Sequence, residues 1–201
     1  MPVRLLPMGL EAVLIEDPPG GPAAWARGVR DRAVDGVLDV VPAARSVLIR
    51  CDSAAALAVV SERLDAVRPM PTGTERVDLT IAVAYDGDDL DDVADATGLS
   101  VDEVVGLHSS GEYRVAFCGF APGFGYLTGL PERLRLPRRD SPRTRVPAGS
   151  VAIAAEYSAV YPRSSPGGWH LLGHTDAVLF DVERDPPSLL APGTGVRFVV
   201  A

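Results

Sequence analysis

Two kinds of hydrophobic pattern divide the chain. Up to residue 83, short alternating runs are interleaved with helical stripes. Val3 to Leu6 and Ala12 to Ile15 flank a Pro-Met-Gly turn and predict an opening hairpin. Gly20, Gly21 and Pro22 then lead into a helix with Trp25, Val29 and Ala33 on one face, proline being suited to the first helical turn. Two short strands, Val37 to Val41 and Val47 to Ile49, are split by Pro42, Ala43 and Ala44. Ser53 is placed to cap a second helix, in which Leu57, Val60, Leu64 and Val67 return every three or four residues and share a buried stripe. After a Pro-Met-Pro-Thr-Gly turn, Val77, Leu79, Ile81 and Val83 alternate with Asp78, Thr80 and Ala82, as in a half-buried strand. Following the first strand the order is β-α-β-β-α-β, so residues 1–83 read as a small α+β domain of ferredoxin-like arrangement.

From residue 84 the pattern changes. Asp86, Asp88, Asp89, Asp91, Asp92 and Asp95 crowd ten positions, without the sixth-position glycine and terminal glutamate of an EF-hand loop. They read as the start and solvated face of a helix, where carboxylates suit the dipole. Ser100 and Glu103 form a capping box ahead of Val101, Val104, Val105 and Leu107, which puts His108 at the end of a second short helix. Beyond Glu112, glycine and proline become dense and the apolar runs are short: Tyr113 to Phe117, Ser150 to Ala154, Ala177 to Phe180 and Val196 to Val200. This is an all-β signature, and residues 84–201 read as a second domain built as a closed or partly closed barrel.

Composition changes this picture mainly by what it excludes. All nineteen Lys+Arg residues are Arg, so the chain has no P-loop lysine, no Schiff base, no pyridoxal phosphate anchor and no biotinylated lysine. A formal net charge of −8 argues against general nucleic-acid binding, which draws its affinity from cations on phosphates. The opening MPVRLLPMGLEAVLIEDPP has no secretory pattern, and no stretch approaches the ~18 apolar residues of a membrane span, so a cytoplasmic protein without a membrane partner is expected. Cys51 and Cys118 have neither metal nor redox spacing and read as buried free thiols.

Candidate chemistry is confined to the second domain. FCGFAPGFGYLTGLP sets Gly119, Gly123, Gly125 and Gly129 among Phe120, Phe124 and Tyr126. A barrel turn stapled by aromatics and a ligand wall fit that pattern equally; a phosphate loop does not. The sole basic cluster follows, with Arg133, Arg135, Arg138, Arg139, Arg143 and Arg145 interleaved with Pro137, Pro142 and Pro147. Glu132 and Asp140 pair with some of these; Arg138, Arg139 and Arg143 are the candidates for a planar anion site. Ser150 lies outside any G-x-S-x-G elbow, and His108 and His174 carry no spacing that marks a neighbouring base, so each reads either as an acid–base group or as a hydrogen-bonded structural residue. No metal site is expected, since His108, His170 and His174 lack supporting ligands.

Four segments in order, LHSSGEYRVAFCGFAPGFGYLTGLP, PRRDSPRTRVPAGSVAI, YPRSSPGGW and LLGHTDAVLFD, resemble the family of 5-oxoprolinase B subunits, also called allophanate hydrolase subunit 1, which includes the sporulation-kinase inhibitor KipI. The resemblance spans roughly residues 104–181, with the closing PGTGVRFV in addition. It implies a cyclophilin-like barrel behind the α+β domain. As partners it implies the C subunit of 5-oxoprolinase, which is carboxyltransferase-related and allophanate hydrolase subunit 2-like, together with the A subunit. The implied reaction is ATP- and Mg2+-dependent cleavage of 5-oxoproline, in a complex outside which this chain is inactive. ATP would phosphorylate the lactam oxygen, Arg138, Arg139 or Arg143 would hold the substrate carboxylate or the phosphorylated intermediate, and His108 or His174 would move a proton. Ser150, Tyr161 and Thr175 join the implied substrate site; Phe120, Pro122, Gly123, Tyr126, Pro147, Gly149, Pro166, Gly167, Gly168 and Trp169 are its implied pocket or interface. Where the family carries a Gly-Gly-x-Gln-Thr-Gly-like stretch, this chain reads Ala154, Ala155, Glu156, Tyr157, Ser158 and Ala159. A regulatory protein that docks on a sensor histidine kinase is the alternative expectation, and a prolyl isomerase is a third that rests on architecture alone.

Overall fold

In the first part of the chain, burial follows the alternation. The computed structural model describes residues 4–71 and 79–201, and the chain divides into two units, Met1–Thr72 and Gly73–Ala201. Unit 1 runs β1 (Arg4–Pro7), β2 (Ala12–Glu16), α1 (Pro22–Asp31), β3 (Val37–Pro42), β4 (Ser46–Cys51) and α2 (Ala54–Arg63). Val13, Ile15, Val47 and Ile49 point to the inner face of the sheet and pack with Trp25 and Val29 of α1 and Val60 of α2. The Ser53 hydroxyl accepts from the Ala56 N–H at 3.2 Å, the expected cap. Sheet order is β1-β2-β4-β3, every neighbouring pair antiparallel. β2 and β3 therefore run the same way with β4 between them, a split β-α-β unit.

The expected closing strand does not complete this sheet. Leu79–Val83 is β5 and pairs in parallel with the last strand of unit 2, while β1 occupies the place beside β2. The boundary expected at residue 83 accordingly moves to 72/73. Alternation specifies that a strand has one buried face and leaves open which sheet supplies its partner. Val3, Val77 and Asp78 lie outside the described residues.

Unit 2 continues with α3 (Leu90–Thr97), α4 (Val101–Ser110), β6 (Tyr113–Cys118), β7 (Gly125–Thr128), β8 (Arg143–Val146), β9 (Ser150–Ala154), β10 (Tyr157–Val160), β11 (Ser165–Gly167), β12 (His170–His174) and β13 (Gly195–Val200). Its large sheet has the order β12-β9-β10-β7-β6-β13-β5. The two ends meet, because Ala84, just beyond β5, exchanges backbone hydrogen bonds of 2.9 and 2.8 Å with His174 at the end of β12. The result is a nearly closed, barrel-like sheet whose interior holds Ile81, Val115, Leu127, Val151, Ile153, Leu172 and Phe198. β8 and β11 form a separate two-stranded ribbon. The capping box is present on α4: the Ser100 hydroxyl accepts from the Glu103 N–H at 3.2 Å and the Glu103 carboxylate from the Ser100 N–H at 2.8 Å. Ala177 to Phe180, expected as a strand, is loop with a single bridge from Phe180 to Ser188. Leu179 is buried there against the core, so the run satisfies its hydrophobicity by packing without a ladder. Among the described residues no helix is long and apolar enough to cross a membrane.

Candidate functional site

The Gly-rich aromatic segment becomes a wall because it forms a tight turn between β6 and β7. Gly119 N–H donates to the Phe124 carbonyl at 3.2 Å and Phe124 N–H to the Ala121 carbonyl at 3.0 Å, folding the chain back. Phe124 is driven inward and nearly sealed, whereas Phe120, at φ 65°, remains 59% exposed on the rim. A bulky residue in the left-handed region is uncommon and marks a position that its surroundings dictate. Edge-on contacts join Phe124 to Phe120 and Tyr126 at 5.1 Å, to Tyr161 at 5.3 Å and to Trp169 at 5.6 Å. Phe117 stacks on Tyr126 at 4.3 Å from behind.

These rings enclose a cleft of about 80 Å³ lined by Phe120, Phe124, Tyr126, Arg138, Tyr161, Gly167, Gly168 and Trp169. Residues from four separate segments, expected only as members of one pocket, are thus brought together. Gly167 is required at its position: a Cβ there would stand 2.3 Å from the Tyr161 hydroxyl oxygen. Burial pushes the Tyr161 hydroxyl pKa up, and the Trp169 N–H that it accepts together with the positive charges of Arg138 and Arg143 partly opposes the rise.

The arginines of the loop divide into two kinds by their pairing. Asp89 is 1% exposed and lies in the acidic run expected to be a solvated helix face. That expectation is corrected for this residue: its carboxylate accepts from Arg143 in a forked pair at 2.8 and 2.7 Å, from Arg139, and from the Leu171 N–H at 2.8 Å. Burial raises the Asp89 pKa, but the Arg143 and Leu171 hydrogen bonds and the two arginine charges outweigh it and leave it below the usual carboxylate range. Arg139 also approaches Asp92 at 3.6 Å, and its N–H donates to the Gly168 carbonyl at 2.8 Å. Arg138, immediately before these tethers, is exposed and has no hydrogen bond or ion pair among the described residues. It also borders a second, more open depression of about 430 Å³ with Arg139, Asp140, Ser141 and His170.

The histidines go elsewhere. His108 is fully buried in the core. Its Nδ1 accepts from the Tyr85 hydroxyl at 2.7 Å and its Nε2 donates to Ser158 Oγ at 2.9 Å; this tautomer follows from the Ser158 hydroxyl being turned toward the Ala152 carbonyl at 3.3 Å. Phe198 stacks on the ring at 4.7 Å. Burial with no counter-charge lowers its pKa to about 3, so it is neutral at ordinary pH. His174 is exposed at the seam where the barrel closes; its Nδ1 lies 2.8 Å from Asp86 Oδ1, whose hydrogen bond and charge raise its pKa. Neither histidine lines the aromatic cleft. Ser150, Gly149 and Thr175 meet behind Tyr161 through backbone hydrogen bonds of 2.8 to 2.9 Å. Pro122 and Pro147 are exposed on turns around it, Pro166 is exposed within β11, and Gly123 is buried against Phe180.

The carboxyltransferase domain, subdomain C and D, family profile matches residues 4–190. The chain belongs to that family. It is 43% identical to the 5-oxoprolinase B subunit of Escherichia coli O157:H7 over 96% of this chain and 93% of that protein. Among solved structures it resembles TTHA0988, with a TM-score of 0.80 and 36% identity over 94% of this chain. The Kluyveromyces lactis urea carboxylase shares the fold at a TM-score of 0.72 and 19% identity over all of this chain. The chain spans only 39% of the TTHA0988 chain and 23% of the urea carboxylase chain.

Within this carboxyltransferase-domain chain, sequence reasoning missed Asp89, Tyr85 and Ser158 as partners of named site residues. Phe124, one aromatic among several in its segment, is the hub of the cleft. No local signal distinguishes Asp89 from its five acidic neighbours, because its partners lie 50 and 54 residues away.

Proposed function

We propose that this chain is the B subunit of a heteromeric, ATP-dependent 5-oxoprolinase and contributes one half of its active site. The observation that carries the reading is the kinship to a 5-oxoprolinase B subunit along nearly the whole of both chains. The aromatic cleft with Arg138 at its mouth supports it as a place for a small acid. We take unit 2 as a cyclophilin-like barrel, with the A and C subunits of the enzyme as partners, and the isolated chain as inactive.

Aromatic walls exclude water from a bound lactam ring, and Arg138 offers a forked pair of donors to its carboxylate. ATP and Mg2+ belong to the complex. The cations of this chain beside the cleft fit a triphosphate poorly: there is no lysine, and Arg139 and Arg143 are held by Asp89. Of the two histidines expected to move a proton, His174 is exposed at the barrel seam and His108 is sealed, and neither lines the cleft, so proton transfer at the bound lactam falls to groups outside this pair. The test is reconstitution with the A and C subunits. ATP consumption that requires both this chain and 5-oxoproline is expected; a chain that elutes alone and suppresses sensor-kinase autophosphorylation would overturn the reading.

A further inference from the structure

The three arginines beside the cleft do not present three positive charges. Asp89 binds Arg139 and Arg143 together, and Asp92 stands 3.6 Å from Arg139, so these two cations meet two carboxylates. Arg138 alone of the three has no carboxylate partner among the described residues. The chain is tied down on both sides of it: before it the Pro137 carbonyl accepts from His170 Nε2 at 2.9 Å, and after it the Arg139 backbone N–H is held by the Gly168 carbonyl at 2.8 Å and Arg143 sits in β8 against β11. Asp140 lines the adjoining depression and not the cleft. The cleft therefore offers ring faces and one unneutralised guanidinium, in a volume of about 80 Å³.

We propose that Arg138 is the carboxylate receptor of this cleft and Asp89 its positioning residue, so that the cleft takes a small ring bearing one carboxylate and rejects a polyphosphate. The proposal rests on the 5-oxoprolinase reading for the identity of the ring acid. A guanidinium matches a single carboxylate in a bidentate pair, whereas a polyphosphate needs several cations that here are already neutralised. Asp89 acts through the loop: with its carboxylate removed, Arg139 and Arg143 lose their common anchor, and the segment carrying Arg138 loses its fixed origin.

The test uses the reconstituted complex with Arg138→Met, Arg138→Lys, Asp89→Asn and, as a milder change to the same clamp, Arg143→Lys. KM is measured for 5-oxoproline and for ATP. Binding without ATP is followed at the Trp169 side-chain N–H for 5-oxoproline and for 2-pyrrolidinone, the same ring without the carboxylate. Loss of one charge-assisted pair in Arg138→Met should weaken 5-oxoproline about tenfold or more, with ATP and 2-pyrrolidinone unchanged and partial recovery in Arg138→Lys. Asp89→Asn and Arg143→Lys should raise KM for 5-oxoproline and spare that for ATP. An unchanged 5-oxoproline affinity in Arg138→Met, or a loss confined to ATP, overturns the receptor; a normal 5-oxoproline KM in either clamp variant overturns the positioning role. If the wild-type complex binds 5-oxoproline in this Arg138-dependent way but consumes no ATP, the parent activity fails and the receptor stands.

Discussion

His108 is the residue whose chemistry differs most from its type. A histidine usually titrates near neutrality, yet here every polar ring atom is satisfied by Tyr85 and Ser158 and there is no counter-charge, so the proton is excluded. Its folded pKa of about 3 lies below the ordinary 6.5, so the unfolded chain binds the extra proton. This group's contribution is complete above pH 6.5 and declines as pH falls toward about 3. Denaturant unfolding of the wild type should lose up to about 1.4 kcal/mol per pH unit from this source. His108→Gln should be less stable at neutral pH and show a flatter slope across that window; parallel slopes would contradict the assignment. Asp89 titrates below the ordinary carboxylate range, so its clamp persists until pH drops through its depressed pKa.

At the scale of elements, α4 and the β6–β7 turn show two kinds of local control. The helix is specified by its own ends: Ser100 and Glu103 satisfy each other's backbone N–H groups, and Ser100→Ala should cost about 1 kcal/mol in thermal unfolding. Such reciprocal capping is legible from four consecutive residues, which is why this boundary, like that of α2 at Ser53, agrees with the sequence reading. The turn is different. Its glycines and phenylalanines fit both packing and a ligand wall, and its rings are completed into a box only by Tyr161 and Trp169, which arrive from just beyond β10 and from the β11–β12 connection. Ala177 to Phe180 failed as a strand for a related reason, since a four-residue apolar run can be buried as loop, here by packing Leu179 into the core without a ladder.

At the scale of the whole molecule, unit 2 depends on a seam. Ala84 and His174 close the ring of strands, and the Gly87 and Asp89 N–H groups continue the seam to the Leu172 and Leu171 carbonyls at 3.1 Å. Gly173 lies within it, and a Cβ there would come within 2.1 Å of the Ala84 carbonyl oxygen. Gly173→Ala should therefore open the seam, with amide exchange accelerated at Ala84, Gly87 and Asp89 well before that at Val115 on the opposite side; uniform acceleration would argue that the barrel has no weak edge. Because Asp89 belongs to the same stretch, seam opening should also loosen the arginine clamp and raise KM for 5-oxoproline.

Sequence by itself determined what depends on neighbours in the chain: helix caps, strand alternation, the aromatic and arginine-rich segments and the four motifs that carry the family resemblance. Tertiary structure decided which sheet claimed Leu79–Val83 and which of six aspartates became buried. It also decided which two of three arginines were neutralised, and that one histidine was sealed while another reached solvent. The physical reason is that hydrophobic periodicity and capping are set within a few residues, whereas pairing partner, counter-charge and desolvation are set by groups far apart in sequence. Those three quantities govern the cleft.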